Sequence, residues 1–535
     1  MDTMIYNPLE EYRDKFKDLH LEKTTAFFEK LTKQSGVNIE ENRKTVEEYN
    51  TYRENLKKLK KKLNLYRFLR VLMIITILPL PFVFMKMTPA IRKLREDINF
   101  ADDKANELLE KAKQQMQPLN SLFTDRDALD ITEETIPMIS FDTCLTAKQE
   151  ADMVINYDYT GLNNQEQSTL DVLAGKFNEN PFIFENKKIH HMGLATYHGY
   201  KTISWVETYR DSDGKIRTRT RTQRLEATVV KPKPYYHTQV VLNYGAQAAP
   251  DLSFSRDATH LDNKSEKEIE KYIKKGEKLL KKKTDKAISG YGDFTSMSNT
   301  DFEVLFDALN RTNEVQFRML FTPLAQTNMV DLIRMKDGYG DDFNFFKERR
   351  MNRIVTTHSQ GRNINLLSRN YVSYSYDIAK ENFINGNTDF FKAVYFDLAP
   401  VLAIPVYQER PVQSLKPIPD YSQMYSLKEC EALANMINRK YVVHPDTVTD
   451  AILKSEFLSS ENGVDTTRIT AYSYKTEPRV DIVSVRGDDG NYHDVSVPWD
   501  EYIPLSSQRS FRISNKSAAD GKNGIAGRNG LYIFD

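Results

Sequence analysis

Three arginines stand at alternate positions, Arg217, Arg219 and Arg221, within KIRTRTRTQRLEATVV. On a β-strand such residues share one face at intervals of about 7 Å. Guanidinium groups so spaced suit phosphates, of a lipid headgroup or of a nucleic acid. A solvated or edge-protecting strand face, or one ion-paired by another segment, is the plainer alternative. The run KTISWVETYR precedes it, and Asp211-Ser212-Asp213-Gly214 between them signals a hairpin. A four-residue loop sets Arg210 opposite Lys215. Ile203, Trp205, Glu207 and Tyr209 then share the core face with Ile216, Thr218, Thr220 and Thr222. The arginines fall on the other face, opposite Thr208, Val206 and Ser204, with no acid directly across. A slip of one residue would invert that assignment.

Other chemical groupings are weaker. His190, His191 and His198 cluster, with His237 further on. Adjacent strand residues point to opposite faces, so His190 and His191 do not jointly face one metal without a bulge. Asp211 to Gly214 resembles a piece of a calcium loop but lacks the remaining ligands, and a turn explains it. Arg486-Gly487-Asp488 spells an adhesion tripeptide inside an evident turn and receives no function. GxxxxGK[ST], HExxH, GxSxG and paired CxxC are absent from the chain. No residue is therefore singled out as catalytic, metal-binding or cofactor-binding. The chain reads as non-catalytic, with an enzyme of unfamiliar motif as one alternative.

The strongest feature is a cationic collar. The longest apolar run is Val71–Met85, VLMIITILPLPFVFM. Lys57, Lys58, Lys60, Lys61, Lys62, Arg67 and Arg70 precede it, and Lys86, Arg92, Lys93 and Arg95 follow. As a helix the run measures about 22 Å, short of a hydrocarbon core of about 30 Å. Extension over 68–90 reaches spanning length if Arg70 and Lys86 snorkel, with Pro79 and Pro81 kinking the middle. Three arrangements stay open. One is a kinked single span with the more basic N-terminal side in the cytoplasm. Another is a re-entrant or interfacial hairpin turning at Leu78–Pro81, which keeps both basic flanks on anionic headgroups. The third is a segment buried in protein.

These residues need elements to position them. Tyr49, Tyr52, Leu56, Leu59, Leu63 and Tyr66 step by three and four. So do Ile91, Leu94, Ile98, Ala101, Ala105, Leu108 and Ala112, with Pro118 as the expected stop. Each is an apolar seam on a charged helix, a sign of coiled-coil-like pairing. A hairpin at 71–85 would let the two arms pair antiparallel with each other. A membrane span would part them and leave each to a protein partner or a second copy. A further helix is expected from Pro8 to Gln34, stopped at Gly36.

Beyond residue 120 the pattern is mixed. Met153–Tyr159 reads as strand-like, 181–256 as β-structure, and KPKPYY (Lys231–Tyr236) as an extended connection. A basic helix is expected over 264–286 and helices over 299–335, starting at Asn299 or Thr300 and broken at Pro323. Another basic helix is expected around Phe345–Arg353. The apolar stretch 392–409, interrupted by Pro400 and Pro405, fits buried strands. A short helix with Cys430 follows, then strands from Arg468 to Ile503 turning at Gly487–Gly490. LYIF near the end could add a last strand.

The fold class is thus α+β: N-terminal helical arms flanking one apolar membrane segment, then a large mixed body with antiparallel hairpins. The expected segments are 1–67, 68–90, 91–120, 121–410 and 411–535. Composition agrees with a globular chain, at 40% hydrophobic and 28% charged residues among 535. The balance of 75 Lys+Arg against 75 Asp+Glu excludes a uniformly basic protein. Two cysteines exclude a disulfide scaffold.

WVETYRDSDGKIRTRTRTQRLEATVVKPKPYY and NEVQFRMLFTPLAQTNMVDLIRMKDGYGDDF resemble parts of uncharacterised membrane-anchored proteins of low-GC Gram-positive bacteria and mollicutes. The resemblance implies a bacterial cell-membrane protein and brings no activity with it. The expected function is a membrane-associated structural or interaction protein that anchors an α+β binding body. Its expected partners are anionic lipid headgroups and a protein or second copy met through the helical arms. A nucleic-acid-binding protein using the arginine stripe and the basic helix is the other alternative.

Overall fold

The computed structural model describes residues 4–75, 87–161, 164–291, 294–412, 415–515, 518–519, 522–523, 526–528 and 531–534. The chain divides into two compact units. A helical unit holds 10–137 and 366–395; an α+β unit holds 1–9, 138–365 and 396–535.

In the helical unit, α1 (Lys17–Ser35) continues a helical lead-in that begins at Pro8. It stops at Gly36, whose φ of 65° is the left-handed cap geometry that glycine adopts without a Cβ clash. Next come α2 (Ile39–Ile75), α3 (Thr88–Asn120) and α4 (Asp127–Thr135). The two seams meet each other. Leu63 packs with Ile91 and Leu94, and Tyr49 and Leu56 with Ala101 and Ala105. Later residues of α2 thus touch earlier residues of α3, so the pair is antiparallel. Alanines at 101 and 105 let the backbones approach. Pro118 does not stop α3: it stands inside the last turn. The far end is closed by an aromatic core in which Phe28, Phe123, Tyr371, Tyr376 and Phe383 pack with Met116 and Leu119.

The α+β unit is built on antiparallel sheets. The seven-stranded sheet has the order β1-β2-β3-β4-β7-β6-β5. Its strands are β1 (Ile139–Phe141), β2 (Gln167–Phe177), β3 (Asn180–Arg210), β4 (Ile216–Gly245), β5 (Ser253–Arg256), β6 (Phe343–Glu348) and β7 (Met351–Thr356). The second sheet contains β8 (Ile452–Glu461), β9 (Val464–Arg486) and β10 (Tyr492–Ser514). It is extended by β11 (Ala526–Arg528) and β12 (Leu531–Phe534), so LYIF pairs with β10. The helices are α5 (Ala147–Tyr157), α6 (Glu266–Lys286), α7 (Thr300–Phe306), α8 (Glu314–Leu320), α9 (Pro323–Arg334), α10 (Tyr376–Leu402) and α11 (Leu427–Met436). The first part of α10 belongs to the helical unit and the rest to this one.

β3 and β4 run about 100 Å each at about 3.3 Å per residue. Among the described residues, only their bases have neighbours in the sheet: β2 covers β3 up to Ile189, and β7 covers β4 from Leu242. The remainder is a two-stranded ribbon. Such a ribbon is marginal alone. Here the ribbon of β9 and β10 lies against it. Ile203, Leu225 and Ala227 pack on Val495 and Val497, with Trp205 and Val485 at the margin. A Cβ on Gly199 would lie 2.2 Å from the Ser496 carbonyl oxygen, so glycine is required for the layers to touch. Both ribbons end in the same three-residue loop. Asp211 and Lys215 close one and Gly487 and Asn491 the other, with Gly214 and Gly490 at positive φ.

Four expectations are corrected. Met153–Tyr157 is helical: Thr146 and Gln149 form a capping box that starts α5. Phe343–Thr356 is a β-hairpin rather than a basic helix, because Phe343, Phe345 and Lys347 alternate onto a buried face. Residues 392–402 are the end of α10, not strands. That segment is buried nearly all round, so it carries no amphipathic period to read. KPKPYY lies within β4 instead of linking two elements. The basic helix 264–286, the Asn299 cap and the break at Pro323 stand as expected.

Candidate functional site

The collar residues sit on α2 and α3, whose seam fixes their directions. Lys57, Lys58, Lys60, Lys61, Lys62 and Arg67 are exposed on α2, as are Arg92, Lys93 and Arg95 on α3. Arg70 is half-buried near the end of α2. Acids meet few of them: Lys60 lies 3.7 Å from Asp102, and Arg92 3.3 Å from Glu96. Antiparallel pairing brings the two basic flanks together at one end of the hairpin. Phe68 and Val71 on that end are 63% and 55% exposed, so large apolar side chains stand in solvent beside these cations. The segment joining Ile75 to Met87 contains most of the apolar run, with Leu78–Pro81 and Lys86, and lies outside the described residues. Among the described residues no helix is long and apolar enough to cross a membrane.

The arginine stripe is differently placed from its sequence expectation. Arg217 pairs with Tyr209, Arg219 with Glu207 and Arg221 with Trp205. The stripe therefore shares a face with Glu207, not with Thr208, Val206 and Ser204. The cause is the turn: Asp211 and Lys215 close a three-residue loop, one residue shorter than the expected four, and every side chain changes face. Acids do oppose the arginines. Glu207 Oε2 accepts from Arg219 and from Arg221 at 2.6 Å, and Asp211 Oδ2 accepts from Arg217 at 2.6 Å. The hydrogen bond from Arg219 holds the Glu207 carboxyl below its ordinary range. Two carboxylates thus partly neutralise three guanidinium groups.

The histidines pack on aromatic rings. His190 lies between Tyr236 and Tyr474, and His191 stacks on Tyr235. His191 and His237 approach at 5.7 Å between ring centres, while His198 Nδ1 is 2.7 Å from Glu226. Among the described residues no group of three or more His, Cys, Asp or Glu side chains is arranged around a metal position.

A second feature was hidden in the sequence: a cavity of about 350 Å³ in the α+β unit. Thr146 and Tyr425 form a β-bridge from which α5 and α11 start side by side. From α5, Ala147, Glu150, Ala151, Val154 and Ile155 line the cavity, spaced as one helical face. From α11 come Leu427, Lys428 and Glu431; Lys187 and Lys454 enter from β3 and β8. Beneath it lies Glu185, fully buried on β3. Its carboxylate accepts from Lys187 at 2.8 Å, from Lys428 and from the Tyr159 hydroxyl. Burial pushes this carboxyl up, but Lys187 and Lys428 overcome it and hold it down at about 2. Burial would also discharge Lys428, yet Glu185 keeps it charged, its pKa well above the ordinary lysine value. Lys454 pairs with Glu431 at 2.7 Å. Glu150 is different: among the described residues no hydrogen bond or ion pair reaches its carboxylate, and burial pushes its pKa up to about 7. Sequence reasoning missed this group by taking part of α5 for a strand. The legible signal was a lone acid on the apolar face that follows the Thr146–Gln149 capping box.

No family model, curated protein or solved structure matches the chain.

Proposed function

We propose that the protein docks on anionic membranes through the joined end of the α2–α3 hairpin and holds an α+β binding body there. The observation that carries this is the antiparallel seam. It makes the chain approach and leave the apolar joint from the same side, which favours a re-entrant or interfacial anchor over a single span. The basic flanks then face the headgroups together, each cation near the surface contributing about 1 kcal/mol. Burial of Phe68 and Val71 with the joint adds about 1.5–3 kcal/mol for each large apolar side chain.

Vesicle flotation of the full chain tests the proposal. Binding is expected to vesicles of phosphatidylcholine with phosphatidylserine, and more weakly to phosphatidylcholine alone. Leu78→Asp with Phe82→Asp should lower affinity about tenfold or more. Arg92→Glu with Arg95→Glu should weaken binding only to the anionic vesicles, and most at low salt. A wild-type chain that fails to float, or that self-associates and leaves the vesicles unoccupied, overturns the proposal. So does undiminished flotation of the double aspartate variant.

A further inference from the structure

The cavity between α5 and α11 is independent of the membrane-facing hairpin and poses its own chemical question. Its volume of about 350 Å³ falls in the range of small-molecule sites. Its three lysines are already held. Lys428 donates to the Gly161 carbonyl at 2.9 Å and pairs with Glu185; Lys187 also pairs with Glu185. Lys454 donates to the Gln167 carbonyl at 3.2 Å and pairs with Glu431. Glu431 is held in turn, since its Oε2 accepts the Thr169 N–H at 2.9 Å. An anion entering here would find, among the described residues lining the cavity, only cations already ion-paired. Glu150 is nine-tenths buried, lines the cavity and has no partner for its carboxylate among the described residues. A carboxylate largely stripped of water and opening only on the cavity gains most from a group that brings it a donor and a positive charge.

We propose that this cavity binds a small molecule bearing a primary ammonium on a short apolar chain, with Glu150 as counter-ion. The apolar wall would hold the alkyl part: Ala147, Ala151, Val154 and Leu427 all face the space. The ammonium would give the Glu150 carboxylate a direct hydrogen bond and ion pair, which Lys428 and Lys454, held by Glu185 and Glu431, act on only from a distance. The raised pKa of Glu150 adds a signature. Lys428 and Lys454 favour its charged form, Glu185 and Glu431 oppose it, and burial outweighs them all. A bound cation shifts that balance toward ionisation, so binding at pH 7 releases a proton.

The test uses three probes of one chain length on the full chain: butylamine, butyrate and 4-aminobutyrate, at matched ionic strength. Butylamine at millimolar concentration is expected to raise the melting temperature by about 2 °C or more, increasing with concentration. Butyrate should leave it unchanged. 4-Aminobutyrate should act less strongly than butylamine, because its carboxylate meets only lysines already paired. Glu150→Gln should abolish the butylamine shift while raising the melting temperature of the unliganded chain at pH 8. Ala151→Leu, which fills the wall and leaves the charges alone, should also abolish the shift. Calorimetry in two buffers of different ionisation enthalpy should show proton release. No shift with butylamine, an equal shift with butyrate, or a shift that survives in both variants overturns the proposal.

Discussion

His358 shows how one residue can carry a share of stability with a defined pH range. It is buried, with Nδ1 2.6 Å from Asp342 and Nε2 3.3 Å from Asp397. Asp397 is further held by Arg362 at 2.8 Å and by the Ser359 hydroxyl. Burial alone would favour the neutral ring, but the hydrogen bonds to Asp342 and Asp397 win, and the pKa rises to about 9. The folded state therefore binds a proton more tightly than the unfolded state. The associated stability is fully present below about pH 6.5 and is lost as pH rises through 9, with a total of about 3 kcal/mol. Urea unfolding should show the gap in midpoint between the wild type and His358→Gln narrowing as pH rises from 7 to 9.5. His358→Gln should unfold at lower urea than the wild type at pH 6 and at nearly the same urea above pH 9.5. A gap that stays constant across that range would remove the proton from the account. Nothing in the sequence marked this histidine, because its two carboxylates come from β6's approach and from α10.

At the scale of elements, what was legible depended on period. The α2 and α3 seams were read from the chain because a step of three and four survives wherever one face of a helix is solvated. The end of α10 was misread because full burial erases the period. The β3–β4 register was misread because one loop residue decides which face each side chain takes. The turn chemistry at Asp211–Gly214 was right, and the count around it was wrong by one. For the cavity, the Lys–Glu pairs join residues 243 and 23 positions apart, Glu185 with Lys428 and Glu431 with Lys454, and no local pattern reports such pairing. The seam itself is testable. Leu56 and Ala101 are 6% and 3% exposed, and a carboxylate at either would be set into the apolar seam. Leu56→Asp or Ala101→Asp should cost about 3 kcal/mol or more and lower the far-ultraviolet helix signal. Leu65→Asp, at a site 55% exposed on the same helix, should leave that signal intact. Equal behaviour of the three would mean that the seam does not hold the hairpin.

At the scale of the molecule, the α+β unit gathers its layers from distant parts of the chain. The arm of stacked ribbons holds both tryptophans, Trp205 and Trp499. Trp499 donates to Asp481 at 2.9 Å and lies under the Lys231 ammonium. Tryptophan emission therefore reports whether the ribbons are stacked. Gly199→Val should push the layers apart by setting a side chain against Ser496, at about 1–3 kcal/mol. The expected outcome is red-shifted emission while the circular dichroism of the helices melts as in the wild type. Unshifted emission would show that the ribbons tolerate the clash. The same stacking sets an order of events during synthesis. A β-hairpin forms within microseconds once its residues are free. The facing layer is translated about 250 residues after Gly245, or about 12–50 s later at 5–20 residues per second. Through that interval Ile203, Leu225 and Trp205 form a bare apolar stripe on a finished ribbon. That stripe stays uncovered until Val495 and Val497 arrive, and faster synthesis shortens the wait.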